Sequence, residues 1–289
     1  MSPDPEAGDG RFGPEWSAGF RRGSDEELRR WLEVAHDACD EADAIARTHF
    51  RRDLRIEAKP DRTFVTQVDT AIETRIRERL RDAFPTHGLV GEEYGTEAGA
   101  ASVRWYIDPI DGTHNFMRGV PIFATLLAVE RDGELQAAVM SAPALRERWW
   151  AHRGGGAWAR TDGDAAPRRL QVSAIGAVAD AQLLFGSSRD IAVDGRAPGF
   201  RGLLGAVWRE RGLGDFWGYA LVAEGSAEAM LEVGLNTWDA AAPLVIIEEA
   251  GGRVTDLEGR RAIDTRSFLA TNGRLHDAFL ERLVAPGPG

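Results

Sequence analysis

Two short acidic stretches constrain this chain more than any other feature of its sequence. In the first, Glu92 and Glu93 follow a glycine, and in the second the apolar run Trp105–Ile107 ends on Asp108. An apolar run that ends on an acid is typical of a buried strand that brings its last side chain to a crevice at the edge of a sheet. The sequence therefore predicts an α/β fold with Asp108 at such an edge.

The residues after Asp108 predict a tight loop that returns a second acid to the same point. Pro109 is expected to stop the strand ladder and to fix its own φ, so that Asp111 turns back toward Asp108. Gly112 permits a backbone conformation closed to other residues. Thr113 adds a hydroxyl beside N–H groups that could hold phosphate oxygens if a helical turn starts there.

Carboxylates gathered without His or Cys indicate a magnesium site. Mg²⁺ prefers near-octahedral oxygen ligands at about 2.0–2.1 Å and lets substrate phosphate supply some of them. Asp239, which follows Trp238 at the expected start of a helix, adds a carboxylate from a distant segment. A lone Glu-Glu pair or Asp-Gly-Thr turn is more often an ordinary surface feature, so the prediction depends on the ordered set.

Composition restricts the partners of the protein. The 289 residues carry a formal net charge of −11, which argues against nucleic acid because a phosphate backbone requires a basic face. The single cysteine, Cys39, excludes an internal disulfide framework and fits a cytoplasmic protein. Residues 1–23 lack the apolar core of a signal peptide, and no apolar stretch is long enough to span a bilayer. We expect a loose extension at 1–23 and no membrane partner.

Hydrophobic periodicity predicts one domain over residues 24–285, in two layered halves: a metal-loop half at about 24–160 and a substrate half at 161–285. No internal repeat or long linker separates them. The expected elements are a helix at 25–50, a helix from near Asp69, a hairpin at 123–140 continued by strands to 159, a strand at 182–186, a glycine-rich stretch to 214, a helix through Tyr219, a strand at 230–233 and a helix at 239–250.

Several motifs resemble the inositol monophosphatase superfamily of Mg²⁺-dependent phosphatases, over residues 25–283. They are Gly91-Glu92-Glu93, Trp105 to Phe116, Trp238-Asp239-Ala240-Ala241 and Glu249-Ala250-Gly251-Gly252. The segments 115–121, 141–145, 148–150 and 214–216 look in addition like histidinol-phosphate phosphatases of histidine biosynthesis. The resemblance implies a layered α/β/α/β/α fold, a small phosphorylated substrate and a homodimer.

The resemblance also implies roles for individual acids, with two or three Mg²⁺ ions in each active site. One ion would be held by Glu92, Asp108 and the carbonyl of Ile110; a second by Asp108, Asp111 and Asp239; a third, weaker one by Glu92 with Asp69. Thr113, hydrogen-bonded to Asp69, is implied to orient and deprotonate the attacking water. Glu93 is expected beside the ions, with direct ligation as the alternative.

Substrate contacts are the least determined part of the site. The resemblance implies that backbone N–H groups of Gly112 and Thr113 hold phosphate oxygens, and that the sole lysine, Lys59, lies near the metals unless it is a chance surface residue. Histidinol phosphate carries an ammonium and an imidazole, so its pocket should offer additional carboxylates, for which Asp215 and Glu232 are the candidates.

Two neighbouring residues leave alternatives open. Arg211 either contacts phosphate or anchors Asp215. His114 stands where the resemblance leads us to expect Lys in histidinol-phosphate phosphatases and Thr in inositol phosphatases, so it either supports the site or lies on the surface.

Other functions remain possible from sequence alone. The same metal loop serves inositol phosphates, fructose 1,6-bisphosphate and 3'-phosphoadenosine 5'-phosphate. A function of another class is a non-catalytic module that binds transcription complexes, as some relatives do. The intact acid set and the acidic charge favour the enzyme.

Overall fold

The structure, a computed structural model, describes residues 26–58 and 64–284. The expected extension at 1–23 and Lys59 lie outside these described residues.

The described residues form helices and strands in the following order. The helices are α1 (Glu26–His49), α2 (Gln67–Ala83), α3 (Thr113–Met117), α4 (Ser188–Val193), α5 (Ala197–Ala206), α6 (Asp215–Ala223), α7 (Thr237–Glu249) and α8 (His276–Val284). The strands are β1 (Ile56–Ala58), β2 (Phe64–Thr66), β3 (Gly88–Gly91), β4 (Gly95–Glu97), β5 (Val103–Asp111), β6 (Ala124–Arg131), β7 (Glu134–Ala142), β8 (Glu147–His152), β9 (Gly156–Thr161), β10 (Arg168–Arg169), β11 (Gln182–Phe185), β12 (Arg209–Arg211), β13 (Ala229–Val233), β14 (Arg253–Thr255) and β15 (Ser267–Thr271).

The two larger sheets alternate with three helical layers, and β1 and β2 form a separate two-stranded sheet. The 8-stranded sheet has the order β10-β9-β8-β7-β6-β5-β3-β4, and the 5-stranded sheet has the order β12-β11-β13-β15-β14. Helices α1 and α2 pack on one face of the large sheet, α6 and α7 lie between the sheets, and α4, α5 and α8 cover the far face of the small sheet. The predicted α/β/α/β/α layering is confirmed.

The amphipathic pattern of α1 explains the first layer. Its apolar side chains recur at helical spacing, and Trp31 and Cys39 on this stripe are fully buried against the large sheet. The hairpin of β6 and β7 turns at Asp132 and Gly133, both with positive φ, as the predicted turn requires. These predictions are confirmed within one or two residues.

The large sheet extends beyond residue 160, where the sequence placed the boundary between the halves. Strand β10 pairs with β9 through Arg168 and Arg169. Helix α7 also packs against strands of both sheets. The division into a metal-loop half and a substrate half therefore stays a proposal about function.

The expectation that Pro109 stops the strand ladder is wrong. Strand β5 continues to Asp111, where it pairs again with Ala124 of β6 after a register shift between Asp108 and Asp111. A bulge accommodates the missing N–H of proline, and the freed carbonyl of Pro109 accepts a hydrogen bond from Thr125 Oγ1 at 2.9 Å. The bulge turns Asp111 toward Asp108 without ending the strand.

The glycine-rich stretch before residue 214 contains two helices that the sequence did not predict, α4 and α5. Glycine within α5 has a packing role, because a Cβ on Gly199 would lie 2.7 Å from the carbonyl carbon of Leu283 in α8. The glycine that weakens the helical pattern thus permits close approach of the two helices.

None of the helices in the described part of the chain is long and apolar enough to cross a membrane.

Candidate active site

Asp69 lies at the start of α2 and is fixed by a capping box. Its Oδ2 accepts hydrogen bonds from Thr66 N at 2.9 Å and from Thr66 Oγ1 at 2.5 Å, while Val68 N donates to Thr66 Oγ1 at 3.1 Å. Burial raises the pKa of Asp69, and the hydrogen bonds from Thr66 oppose this rise. The other oxygen, Oδ1, faces the loop after β5.

Thr113 connects that loop to Asp69. Its Oγ1 lies 3.2 Å from Asp69 Oδ1 and 2.9 Å from the carbonyl oxygen of Ile110, so its single proton is shared between two acceptors. The pair that the resemblance implied is therefore in contact. Gly112, just before Thr113, has a φ of 83° and forms the N-cap of α3. A Cβ there would lie 2.9 Å from the carbonyl oxygen of Ile122, so glycine suits both the backbone and the space.

Asp108 is the most buried acid of the loop, at 1% exposure. Burial raises its pKa well above the usual value, and repulsion by Glu92, Asp111, Asp239 and Asp69 raises it further, in that order. Its Oδ1 is buried and has no hydrogen-bond partner among the described residues. A bound cation would offset the free-energy cost of burying this carboxylate among other acids.

Asp111 and Asp239 approach the same point from different elements. Asp111 Oδ2 accepts a hydrogen bond from Phe216 N at 2.5 Å, and burial followed by repulsion from Asp215 raises the pKa of Asp111 well above its usual value. Asp239 Oδ2 accepts from Asn236 N at 2.8 Å in the capping box of α7, and burial raises its pKa to about 7.

Glu92 occupies the turn between β3 and β4. Its backbone N–H donates to the carbonyl of Ile107 at 3.3 Å, which joins the end of β3 to β5 beside Asp108. The charge of Glu92 acts on the pKa of both Asp108 and Asp239. The structure thus brings together all five acids predicted to form the metal site: Asp69, Glu92, Asp108, Asp111 and Asp239.

These residues fit magnesium by their donor chemistry. The donors are carboxylate and carbonyl oxygens, and the other four acids all raise the pKa of Asp108, whose buried Oδ1 has no hydrogen-bond partner among the described residues. No three His, Cys, Asp or Glu side chains in the described ranges already form a ligand set for one ion. Asp69, Asp111 and Asp239 each direct one oxygen to a backbone N–H, so ion binding would use their other oxygens and require side-chain adjustment.

Two further carboxylates lie beside this cluster. Glu232, on β13, is 8% exposed, and its Oε2 accepts a hydrogen bond from Tyr219 OH at 2.9 Å. Burial and then repulsion by Asp215 raise the pKa of Glu232 to about 8. A Cβ on Gly186 would lie 3.0 Å from Glu232 Cδ, so this glycine makes room for the carboxylate.

Asp215 begins α6 with a φ of 59°, an uncommon conformation for a residue other than glycine. Its Oδ2 accepts a hydrogen bond from Asn115 Nδ2 at 3.0 Å. Burial raises the pKa of Asp215, and the nearby imidazole of His114 lowers it. His114 is exposed, with its ring against Phe64, so the structure places it at the rim beside Asp215.

Arg211 is exposed and donates to the carbonyl of Glu210 at 2.6 Å. Asp215 is held instead by Asn115. The structure therefore offers no anchoring contact between Arg211 and Asp215, and a contact of Arg211 with phosphate stays a prediction.

Comparison with known proteins identifies the family. A model of the inositol monophosphatase family matches residues 27–286. The chain belongs to the inositol monophosphatase family. It is 46% identical to a histidinol-phosphatase of Mycobacterium tuberculosis, covering 88% of this chain and 98% of that protein, and 44% identical to a histidinol-phosphatase of Streptomyces coelicolor, covering 86% and 95%.

A solved family structure has the same fold. The extragenic suppressor protein suhB of Bartonella henselae superposes with a TM-score of 0.80 at 28% identity, covering 88% of this chain and 98% of that one. The predicted family and fold are confirmed. Membership of this family indicates a metal-dependent phosphatase.

Sequence reasoning missed several residues that hold the acids in place. Asn115 and Phe216 contact acids about a hundred positions away, with separations of 100 and 105 residues, and no local pattern indicates such pairs. The sequence predicts Tyr219 only as part of a helix, whereas in the structure its hydroxyl donates to Glu232. The capping box of Thr66 and Asp69 was detectable, because an acid three residues after a threonine is a known start signal for a helix.

Proposed function

We propose that this protein is a Mg²⁺-dependent phosphatase that hydrolyses L-histidinol phosphate to L-histidinol and phosphate. The observation that carries the substrate assignment is the pair Asp215 and Glu232. Asp215 is the charged group that acts most strongly on the pKa of Glu232, so the two carboxylates are close, and both raise the pKa of Asp111 in the metal loop. Such a pair suits the cationic end of an amino alcohol phosphate. The similarity to two histidinol-phosphatases supports the same assignment.

The residues that would hold the metal ions are Glu92, Asp108, Asp111, Asp239 and the carbonyl of Ile110, with Asp69 beside Glu92 for a third ion. When bound, Mg²⁺ supplies charge neutralisation for the phosphoryl group and acidity for a water molecule. The strong mutual repulsion of these carboxylates is consistent with binding more than one divalent ion.

The protein's own contribution to hydrolysis is orientation of the water. Thr113 Oγ1 lies between Asp69 Oδ1 and the Ile110 carbonyl, so an acceptor is ready for the threonine proton and the lone pairs of Oγ1 could accept a hydrogen bond from the attacking water. Thr113 is a weak base by itself, and the buried Asp69 fixes its direction. Backbone N–H groups at Gly112 and Thr113 would hold phosphate oxygens at the start of α3.

The substrate end is shaped by residues on the small sheet and α6. Tyr219 OH and the backbone N–H of Asp215 both donate to Glu232, and Asn115 donates to one oxygen of Asp215, so the two carboxylates are held in place for an ammonium or an imidazolium. Lys59 and Arg211 complete the proposed contacts to substrate, although Lys59 lies outside the described residues. Inositol 1-phosphate, fructose 1,6-bisphosphate and 3'-phosphoadenosine 5'-phosphate lack the cationic centre that this acidic wall would favour.

A panel of phosphate-release assays tests the proposal. The purified protein is compared on histidinol phosphate and on the three other phosphates, with Mg²⁺ and with EDTA. We expect the highest kcat/KM on histidinol phosphate and no turnover in EDTA. A higher kcat/KM on inositol 1-phosphate would transfer the assignment to that substrate, and turnover that is unchanged by EDTA would refute the metal-dependent mechanism.

The transcription-complex alternative makes a different prediction. A histidinol-phosphatase role requires hydrolysis, so an Asp111→Asn variant should fail to restore growth without histidine in a strain that lacks the enzyme. Restoration by this variant would favour the non-catalytic function.

We also propose that the protein is a homodimer in the cytoplasm. Light scattering on the purified protein would test whether it is a dimer.

A further inference from the structure

Glu73 is a fully buried carboxylate that the mechanism above does not use. It lies on α2 four residues after Asp69 and is 0% exposed. A charge in such a position requires strong partners. Its partners are backbone N–H groups of the turn that carries Glu92: Glu93 N donates to Oε2 at 2.7 Å and Tyr94 N donates to Oε1 at 3.3 Å.

Arg77 extends this contact to the far side of the turn. Its Nε donates to Glu73 Oε1 at 2.7 Å, and its Nη2 donates to the carbonyl of Gly95. Arg77 is only 3% exposed, so water screens this ion pair poorly. Asp69, Glu73 and Arg77 follow one another at four-residue spacing on one face of α2. One helix therefore holds the capped acid and both sides of the turn.

Gly91 shows that the position of Glu73 has shaped the neighbouring strand. A Cβ on Gly91 would collide with Glu73 Oε1 and lie 2.6 Å from Cδ. Gly91 is not among the glycines with positive φ, so its backbone conformation is open to other residues. The space taken by the carboxylate, rather than backbone strain, favours glycine here.

We propose that Glu73 is a positioning residue that holds the turn 91–95 so that Glu92 faces Asp108. The inference depends on the proposed function, because it assigns to Glu92 the role of a metal ligand. Hydrogen bonds from two consecutive N–H groups to one carboxylate fix the backbone directly after Glu92. Partners that orient a ligand in this way commonly change metal affinity by about 10–100-fold when removed.

Two variants test this role by different routes. Glu73→Gln removes the charge but retains an oxygen acceptor, and Gly91→Ala displaces the carboxylate while keeping every charge. Glu78→Gln, the same change on an exposed residue of α2 that pairs with Arg75 at 3.2 Å, is the matched control. Mn²⁺ and Mg²⁺ binding is measured by calorimetry, and amide exchange at Glu93 and Tyr94 is measured by NMR.

We expect both test variants to bind Mn²⁺ about tenfold more weakly than the wild type and to exchange the amides of Glu93 and Tyr94 faster. The control should match the wild type in both. Excess metal should restore much of kcat in Glu73→Gln, which a general loss of folding would not allow. If Glu73→Gln fails to fold, Gly91→Ala and the amide protection of the wild type still decide the question.

The results separate this inference from the proposed function. A wild type that binds no divalent ion would overturn both. A wild type that binds ions, together with unchanged affinity in Glu73→Gln and Gly91→Ala, would overturn only the role of Glu73. Amides of Glu93 and Tyr94 that exchange in the wild type as fast as exposed ones would also overturn it.

Discussion

Asp111, the last residue of β5, accepts a hydrogen bond from the backbone N–H of Phe216, 105 residues later at the start of α6. Asn115 and Asp215 form a second contact between the same two segments at 3.0 Å. The loop predicted to bind metal and the helix predicted to meet substrate are therefore joined directly. A change at either segment should affect both metal binding and substrate selection.

Asp111→Asn should abolish Mg²⁺-dependent phosphate release while preserving the fold. The amide oxygen can still accept from Phe216 N, but the charge that would hold the ion is lost. We expect kcat/KM to fall by more than about 100-fold, the upper range for residues that only support a ligand. Phosphate release and circular dichroism measure the two effects, and normal activity in this variant would contradict the site assignment.

Asp108→Asn should stabilise the protein in EDTA while it removes activity. The pKa of Asp108 is raised in the folded state by burial and by neighbouring acids, so its ionised form destabilises the folded state at pH 8 and the neutral amide does not. We expect a melting temperature at least about 2 °C higher than that of the wild type, corresponding roughly to 1 kcal/mol. Added Mg²⁺ should raise the wild-type value only. A lower melting temperature for the variant in EDTA would show that the acids do not repel one another as described.

His276 should make stability depend on pH below neutrality. The imidazole is 0% exposed and lies 2.9 Å from both Thr255 Oγ1 and Thr271 Oγ1. Burial lowers the pKa of His276 to about 4, with a smaller effect from Arg253. The unfolded chain, with a histidine pKa of about 6.5, therefore binds the proton first as pH falls.

The neutral His276 therefore leaves the free energy of unfolding unaffected above about pH 6.5. As the pH falls from 6.5 toward 4, the free energy of unfolding decreases by up to roughly 3 kcal/mol. Acids with raised pKa values, such as Glu232, change stability in the opposite direction, so the wild type is compared with His276→Gln at each pH. Urea unfolding at pH 7 and pH 5 measures the difference. Parallel pH dependence in the two proteins would refute the assignment to His276.

Arg148 should be essential to stability although it lies far from substrate in our proposal. It is 0% exposed, and its Nη2 lies 2.8 Å from Asp43 Oδ2 while its Nε donates to Ser141 Oγ at 2.9 Å. Arg148→Met would leave Asp43 charged and buried, which costs about 3–5 kcal/mol. The control is Arg146→Met. The side chain of Arg146 is 62% exposed and pairs with Asp162 at the surface, so this change should lower the free energy of unfolding by less than about 1 kcal/mol. Equal losses in urea unfolding would show that the buried network is not the cause.

Glu232→Gln should raise KM for histidinol phosphate by about tenfold at pH 9, above the Glu232 pKa of about 8, because the carboxylate that the proposal places against the substrate ammonium becomes a neutral amide. Its effect on p-nitrophenyl phosphate, which has no cationic group, should be much smaller. Glu210→Gln on β12 is a matched control outside the acid cluster. An equal change in KM for both substrates would mean that Glu232 supports the site without selecting the substrate.

The sequence predicted those parts of the protein in which a local pattern reflects a local structure. The amphipathic stripe of α1 and the hairpin at Asp132 and Gly133 are of this kind. Pro109 misled the prediction because a bulge can absorb a missing N–H without ending a strand. The length of a ladder depends on its neighbour, which a single segment does not reveal.

The supporting contacts of the site could not be predicted for a related reason. Asn115 and Tyr219 have no feature that distinguishes them from other polar residues of a helix, and their partners become evident only when the chain is folded. Glu73 was closer to detection, since it follows Asp69 by one helical turn. The acids themselves were detectable because their chemistry is unusual in apolar surroundings.

Helix α7 carries Asp239 near its first turn and is wedged between both sheets through Ala240, Ala241 and Ala242, all 0% exposed. The small methyl side chains set how closely this helix approaches β5, the strand that bears Asp108 and Asp111. The packing distance between α7 and β5 thus determines the separation of Asp239 from Asp108 and Asp111. Replacing one of these alanines by a larger residue would weaken divalent-ion binding before it caused any loss of overall folding.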